Sequence, residues 1–298
     1  MKPILAVLAA GMGSRYGGLK QMDRLGKNGE VLLDYSVFDA LKAGFGKVVF
    51  IIRHDFEKDF QDVVLKRFKD SFQYEIVYQE LDSCIPIGMI SAIGNRSKPW
   101  GTAHAILCAA DQLDAPFAVI NSDDFYGRDA YFTLAKFLSD AKEEGAIVPY
   151  RLDQTLSLQG NVTRGICGVK DGYLTSVDEL KNIAAESGRI FSTVGGVKRE
   201  LPASTMVSMN FWGFPPDIFP ELNQYFDDFL AKQDETPKGE CYIPSFVDHL
   251  VRTGLLNVRV LTMSTSWFGV TYKEDRDIAI QRIAELTRGG VYPENLWE

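Results

Sequence analysis

ILAVLAAGMGSRYGGLKQ, residues 4–21, begins as an apolar run and passes directly into glycines. The run is far too short to span a membrane, and its immediate glycines predict a buried first strand entering a loop rather than a signal peptide. Gly11 and Gly13 permit a tight turn and close approach of a ligand to the backbone. N–H groups exposed in such a turn can cradle phosphate oxygens. Arg15 and Lys20 place positive charge over the same cradle, the first as a planar fork and the second as a mobile point charge. A plain glycine turn with two surface cations is the simpler reading. The two cations, with almost no acid nearby, shift the balance toward phosphate. The stretch lacks the GK[ST] ending of a Walker A loop, and Tyr16 stands where the dinucleotide fingerprint needs its third glycine.

Strands and helices alternate outward from this loop. Residues 31–43 (VLLDYSVFDALKA) carry apolar positions at helical spacing, and 47–53 (KVVFIIR) read as a second strand. A mixed-charge helix is predicted over 55–69, a third strand over 74–79, and a buried helix over 101–111. A fourth strand follows at 117–121 (FAVIN), then a helix over 130–144 and a strand over 146–150. Short connections between alternating elements predict an α/β fold with a doubly wound, mostly parallel sheet. Ligands of such sheets bind at the carboxyl ends of the strands, where both the glycine loop and the acids after the fourth strand fall.

The second half is less regular. Two strands are expected around Lys170-Asp171-Gly172, another over 203–214, and helices over 217–231 and within CYIPSFVDHLVRTG. A strand over 256–263 and a helix over 275–287 complete the pattern. We read residues 1–288 as one domain of two halves, 1–150 and 151–288. The tail, 289–298, has aromatic anchors that suit docking on the domain or on a partner.

The chain has 298 residues, 46% of them hydrophobic, and a formal net charge of −8, which argues against a uniformly basic nucleic-acid-binding face. The four cysteines, Cys84, Cys108, Cys167 and Cys241, form no CxxC pair. They suggest no disulfide framework and a reducing, cytoplasmic setting. No stretch is long and apolar enough for a membrane helix.

NSDDFYG, residues 121–127, follows the apolar fourth strand. Adjacent acids at the end of a buried strand are costly unless solvated or bound to a cation. Magnesium takes one or two carboxylates together with substrate phosphates. Capping of the next helix is the competing use for Asp123 or Asp124, and one acid can serve each role.

The loop resembles the signature of the sugar-phosphate nucleotidyltransferase superfamily, G-x-G-[ST]-R followed by a lysine. The resemblance covers about residues 3–280 and implies a Rossmann-like, GT-A-like fold, with 1–150 as the nucleotide-binding half and 151–288 as the acceptor-binding half. Parts of it are closest to UTP–glucose-1-phosphate uridylyltransferases. It implies that Ala9, Ala10, Gly11, Gly13 and Ser14 lie along an NTP, with Arg15 and Lys20 on the reacting phosphates. The family strand ends in G-D-N, which puts Asp123 on its magnesium-holding aspartate. VYQELDSCIPIG and KPWGTAHAILCA resemble the base-recognition segments, so Gln79, Gly101 and Thr102 are candidate nucleotide contacts. GICGVKDGYLTSVDEL and MVSMNFWGF resemble the acceptor side, which nominates Gly165, Glu179 and Asn210. The lysine expected after the glutamate is Leu180, with Lys181 one residue late. TSWFGVTYKEDRD resembles the second metal segment W-x-D-x-G-T, but its aspartate is replaced by Gly269. Asp275 is the alternative second ligand, and Lys273 a candidate for the acceptor phosphate.

The implied reaction is magnesium-dependent nucleotidyl transfer from UTP or dTTP to a sugar 1-phosphate, with release of pyrophosphate. The partners are then an NTP and a small phosphorylated metabolite, with no nucleic acid and no membrane; a homo-oligomer is left open. The five-residue step from Arg15 to Lys20 resembles cytidylyl- and molybdopterin-type transferases. The alternatives are therefore CTP with a phosphorylated alcohol, or a regulatory protein that binds a nucleotide sugar without turnover.

Overall fold

A computed structural model of the chain describes residues 1–11, 23–68, 71–94, 96–140, 143–157, 159–232, 239–263, 267–269 and 274–298, with the side chains at 91 and 92 left aside. The first half builds a four-stranded parallel unit from β1 (Ile4–Leu8), β2 (Lys47–Ile52), β3 (Tyr74–Tyr78) and β4 (Phe117–Asn121). Their spatial order is β3-β2-β1-β4, all neighbours parallel. The chain runs outward from β1 to β3 and then returns to the far side of β1. The reversal lies between β1 and β4, the place where open α/β sheets bind ligands.

Strand alternation assigns the side chains to two cores. Leu5, Val7, Phe50, Ala118 and Ile120 face one core, and Ile4, Ala6, Val49, Phe117 and Val119 the other. The helices α1 (Leu32–Ala43) and α5 (Arg128–Asp140) cover the first face; α4 (Thr102–Cys108), α6 (Phe219–Ala231) and α7 (Ile243–Thr253) cover the second. Each fully buried aliphatic chain contributes about 1.5–3 kcal/mol. Strands buried on both faces are therefore apolar throughout, as in ILAVL and FAVIN.

The short strand β5 (Asp124–Phe125) carries one of the acids, and β6 (Gly145–Ile147) and β7 (Tyr150–Arg151) extend the sheet. The long hairpin β8 (Val162–Lys170) and β9 (Tyr173–Glu186) turns through Asp171 and Gly172, both at positive φ. Beyond it come β10 (Arg189–Val194), β11 (Val197–Leu201), β12 (Met206–Ser208), β13 (Trp212–Phe214), β14 (Val258–Val260) and β15 (Phe268–Gly269). The main sheet is thus mixed: β13 runs antiparallel between β4 and β6, and the second half of the chain is largely antiparallel. A separate ribbon joins β15 to β5. The last helix, α8 (Asp275–Arg288), packs with α1, β5, β15 and the tail through Leu32, Phe125, Phe268, Ile283 and Tyr292.

Several expected elements are subdivided. The helix over 55–69 is broken into α2 (Glu57–Phe60) and α3 (Lys66–Phe68) by a π-helical turn, Gln61–Leu65. The expected strand 146–150 divides at Pro149, which cannot donate to a ladder. The strand 203–214 becomes β12 and β13 because Asn210, at φ 60°, turns the chain from one part of the sheet to another. The hairpin β10–β11 was not anticipated, since only Ile190, Ser192 and Leu201 of it are buried. The tail docks on the domain: Tyr292 and Leu296 are buried and Trp297 reaches α1. No helix among the described residues is long and apolar enough to cross a membrane.

Candidate active site

The ends of β1 and β4 lie side by side, with Leu8 opposite Asn121. Ser122 N–H donates to the Leu8 carbonyl at 3.1 Å, and Ala9 N–H donates to that of Ile51 at 2.9 Å. Ala9 and Ala10 are buried and Gly11 is exposed. The start of the glycine loop therefore sits directly beside NSDD. Gly13, Ser14, Arg15 and Lys20 lie outside the described residues, as does Lys273.

The acids are set in a polar network. Asp123 is half-buried at the turn between β4 and β5, and Asp124 is only 6% exposed. The Asn121 side-chain amide donates to Asp124 Oδ2 at 2.8 Å, and the Tyr126 hydroxyl lies 3.4 Å from the same oxygen. That hydroxyl accepts the Asn121 N–H and donates to the Met209 carbonyl, both at 2.9 Å. Burial and the neighbouring Asp124 charge push the Tyr126 phenol well above its ordinary range, so it stays protonated. Asn210 joins from the other side, its amide donating to Asn121 Oδ1 at 3.3 Å. The candidate acceptor residue Asn210 thus shares one polar cluster with Asp124, the neighbour of Asp123 in sequence. Asn121 and Tyr126 are supporting residues that the sequence indicates only by their place in NSDDFYG.

Gly269 lies opposite Asp124 in the β5–β15 ribbon. A Cβ there would meet Asp124 Oδ1 at 2.4 Å and the Trp267 ring at 2.7 Å. The Asp124 carboxylate occupies the space that a side chain at 269 would enter. Asp275 begins α8, with Ser157 Oγ 3.4 Å from its Oδ1. It lines a cavity of about 180 Å³ together with Arg164, Trp267, Gly269 and Arg282. Among the described residues, Asp275 does not join Asp123 and Asp124 in a tight three-ligand cluster.

On the base side, Gln79 is buried at the end of β3. Its side-chain NH₂ group lies 2.9 Å from the Gly101 carbonyl and 3.1 Å from His104 Nδ1. His104 Nε2 lies 2.8 Å from the Ser83 carbonyl, which fixes the tautomer with the hydrogen on Nε2. Burial lowers the His104 pKa to about 4, keeping the ring neutral. With both amide hydrogens engaged, Oε1 is the acceptor that the Gln79 side chain can offer to a ligand. Gly101 has φ 104°, and a Cβ there would lie 2.4 Å from the Cys241 carbonyl oxygen. Thr102 Oγ1 accepts the Ile243 N–H at 3.0 Å. Both residues therefore tie the start of α4 to the segment entering α7.

On the acceptor side, Gly165 and Glu179 are opposite one another across β8 and β9. A register shift between Leu180 and Ile183 accompanies Asn182 at φ 53°. Lys181 lies 3.6 Å from Glu179 Oε1. The lysine sought at 180 thus has a counterpart one residue on, paired with the glutamate it was expected to accompany.

A family model described as a MobA-like NTP transferase domain matches residues 5–122. The UTP–glucose-1-phosphate uridylyltransferase AglF of Haloferax volcanii is 22% identical over 285 residues, covering 94% of this chain and 96% of that protein. The inositol-1-phosphate CTP transferase from T. maritima superposes with a TM-score of 0.65 at 12% identity, covering 97% of each chain. A Bacillus anthracis chain assigned as a glucose-1-phosphate thymidylyltransferase, solved with sucrose, superposes with a TM-score of 0.61 at 14% identity, over 96% of this chain and 95% of that one. The matched segment spans the parallel unit from β1 to the first residues of NSDD, and the shared fold extends over the second half of the chain. Residues 5–122 thus match an NTP transferase domain, and nearly the whole chain is similar to enzymes of the nucleotidyltransferase type.

Proposed function

We propose that the chain transfers a nucleotidyl group from UTP or dTTP to a sugar 1-phosphate, with magnesium, and releases pyrophosphate. The observation that carries this reading is the placement of Ala9–Gly11 beside Asp123 and Asp124 at the switch point between β1 and β4. The similarity to a uridylyltransferase along nearly the whole chain supports the base and the acceptor class.

The acid pair fits magnesium by donor chemistry, since its carboxylates are hard oxygen ligands at a strand end open to phosphate. Asp123 would hold the ion, with Asp124 beside it and Asp275 a further candidate. When bound, magnesium supplies charge neutralisation at the reacting phosphates. The chain does the rest by positioning. Loop N–H groups with Arg15 and Lys20 hold the triphosphate and offset charge on the transferred and leaving groups. An oxygen of the acceptor phosphate attacks the α-phosphorus in line with the departing pyrophosphate. That oxygen is already anionic, so no general base is required. Gln79 Oε1 accepts the N3–H of uracil or thymine, a hydrogen that cytosine lacks. Gly165, Glu179 and Asn210 orient the acceptor, and Lys273 contacts its phosphate.

A second reading, CTP with a phosphorylated alcohol, rests on the short step from Arg15 to Lys20. The test is pyrophosphate release from each of ATP, CTP, GTP, UTP and dTTP with Mg²⁺, against sugar 1-phosphates and phosphorylated alcohols. Release with UTP or dTTP and a sugar 1-phosphate is expected. Release only with CTP and an alcohol phosphate establishes the second reading. NTP binding without turnover on any acceptor overturns the proposed reaction in favour of a binding protein.

A further inference from the structure

Three metal-binding side chains meet behind Gln79, away from the strand-end acids. His104 and Cys108 are four residues apart on α4, so both project from one face of that helix. Cys84, on the loop after β3, reaches the same face from a left-handed backbone conformation at φ 57°. Its Sγ is 4.0 Å from Cys108 Sγ, which in turn lies 4.0 Å from His104 Nδ1. One ligand atom from each residue lies within 4.8 Å of the other two.

Zinc bonds of about 2.3 Å to thiolate and about 2.0–2.1 Å to imidazole place tetrahedral ligand atoms roughly 3.5–3.8 Å apart. The two distances at Cys108 match these edges to within a few tenths of an ångström. Two thiols and an imidazole are softer donors than carboxylates, and they select zinc or cuprous ions over magnesium. The exposure of Cys84 gives an ion a route from solvent and leaves room for a water as fourth ligand. Packing alone accounts for His104, which is buried and satisfied by Ser83 and Gln79. It does not account for an exposed cysteine turned toward a second thiol.

We propose that Cys84, His104 and Cys108 form a site for one zinc-type d¹⁰ cation, with two thiolates, one imidazole and one open position. Loading releases the two thiol protons to solvent. The cation takes the lone pair of His104 Nδ1, 4.0 Å from Cys108 Sγ, so the ring gives up its contact with the Gln79 amide. Nε2–H keeps the Ser83 carbonyl as its acceptor, the usual support of a metal-bound histidine. The site rests on these three side chains and is independent of the nucleotide assignment.

The full chain, reduced and stripped with a chelator, is titrated with Co²⁺ and then with Zn²⁺. The expected result is one Co²⁺ per chain, with thiolate-to-cobalt charge-transfer absorption and tetrahedral d–d bands that Zn²⁺ abolishes stoichiometrically. Cys84→Ser, at an exposed position, is expected to weaken Co²⁺ binding by at least about 100-fold. Cys108→Ser should do the same, with thermal unfolding of the metal-free variants showing that both are folded. Absence of the charge-transfer band, or unchanged binding in Cys84→Ser, overturns the site. So does a reduced chain that takes up no metal while air oxidation joins the two thiols, which makes them a disulfide pair only.

Discussion

Two groups of buried acids differ in what surrounds them. On α1, Asp34 accepts from Arg67 Nε at 3.1 Å, from Trp297 Nε1 at 3.0 Å and from the Val31 N–H at 2.6 Å. Asp39 accepts from Arg128 at 2.9 Å and from the Tyr292 hydroxyl. A guanidinium and a tail aromatic thus engage each acid, and the pair fastens residues 289–298 to the domain. At the end of β4, Asp124 is held by an amide and a phenol, beside a half-buried Asp123 and the first residues of the glycine loop. A carboxylate enclosed by cation and ring away from the strand ends is committed to structure. One placed at the ligand-binding edge of the sheet, beside a half-exposed second acid, suits chemistry.

Substitutions should separate the two groups. Asp123→Asn is expected to lower turnover by about 10³-fold or more, the loss of several kcal/mol of transition-state stabilisation. Its unfolding midpoint should stay at the wild-type value, because the side chain is half-exposed and isosteric. Pyrophosphate release and thermal denaturation of the same preparation check both halves, and unchanged turnover would sink the metal assignment. Asp34→Ala should do the opposite. It leaves Arg67 and the Trp297 indole without their shared carboxylate and removes an N-terminal contact of α1, at about 3–5 kcal/mol. Urea unfolding reads that loss, while turnover per folded molecule should remain near wild type. A comparable fall in turnover would place the tail in the catalytic unit.

The sequence distinguishes these groups unevenly. NSDDFYG is conspicuous because acids follow an apolar strand beside a glycine loop, and both lie at strand ends once β1 and β4 pair in parallel. Asp34 and Asp39 sit in an amphipathic helix pattern, where acids read as a solvated face. Their burial depends on a tail some 250 residues away, whose docking has no periodic signature. The parallel unit was legible because strands buried on both faces are apolar along their length. The hairpin β10–β11 was not, because so few of its residues are buried. Gln79 and Gly101 were legible as a pair of interest, but their mutual hydrogen bond and the approach of Cys241 are tertiary facts. The cysteines, 24 residues apart at Cys84 and Cys108, were read as unrelated for the same reason.

The α1 acids should also be visible in the pH dependence of stability. Burial raises the Asp39 carboxyl to about 6 from the usual 3.8, against the opposing pull of Tyr292 and Arg128. Between about pH 4 and 6 the folded chain retains a proton that the unfolded chain has released. This group's stabilising contribution is therefore complete below about 4 and is lost as pH rises through 6, on the order of 3 kcal/mol in all. In urea unfolding across that window, the stability of the wild type relative to Asp39→Asn should decline as pH rises. A gap independent of pH would show that Asp39 titrates normally.

The smallest expected effect concerns how the strand-end acids are arranged. The family pattern has asparagine beside the first acid and an aspartate in W-x-D, whereas this chain has Asp124 and Gly269. The two departures meet in space, because a Cβ at 269 would lie 2.4 Å from Asp124 Oδ1. Gly269→Asp alone therefore brings a second carboxylate into occupied volume, next to a like charge. It should lose about 1–3 kcal/mol of stability and most of the turnover. Adding Asp124→Asn removes the like charge and restores the family arrangement. The double variant should be more stable and more active than Gly269→Asp, with a coupling of about 1–2 kcal/mol in the cycle. Gly88→Ala, where a Cβ meets nothing within 4 Å, serves as the control and should change stability by less than about 0.5 kcal/mol. Additive effects in the cycle would mean that Asp124 fills space beside Gly269 without taking over the function of the missing acid. Coupling would mean that the second carboxylate has moved from one strand of the β5–β15 ribbon to the other, and that the glycine at 269 is a consequence of that exchange.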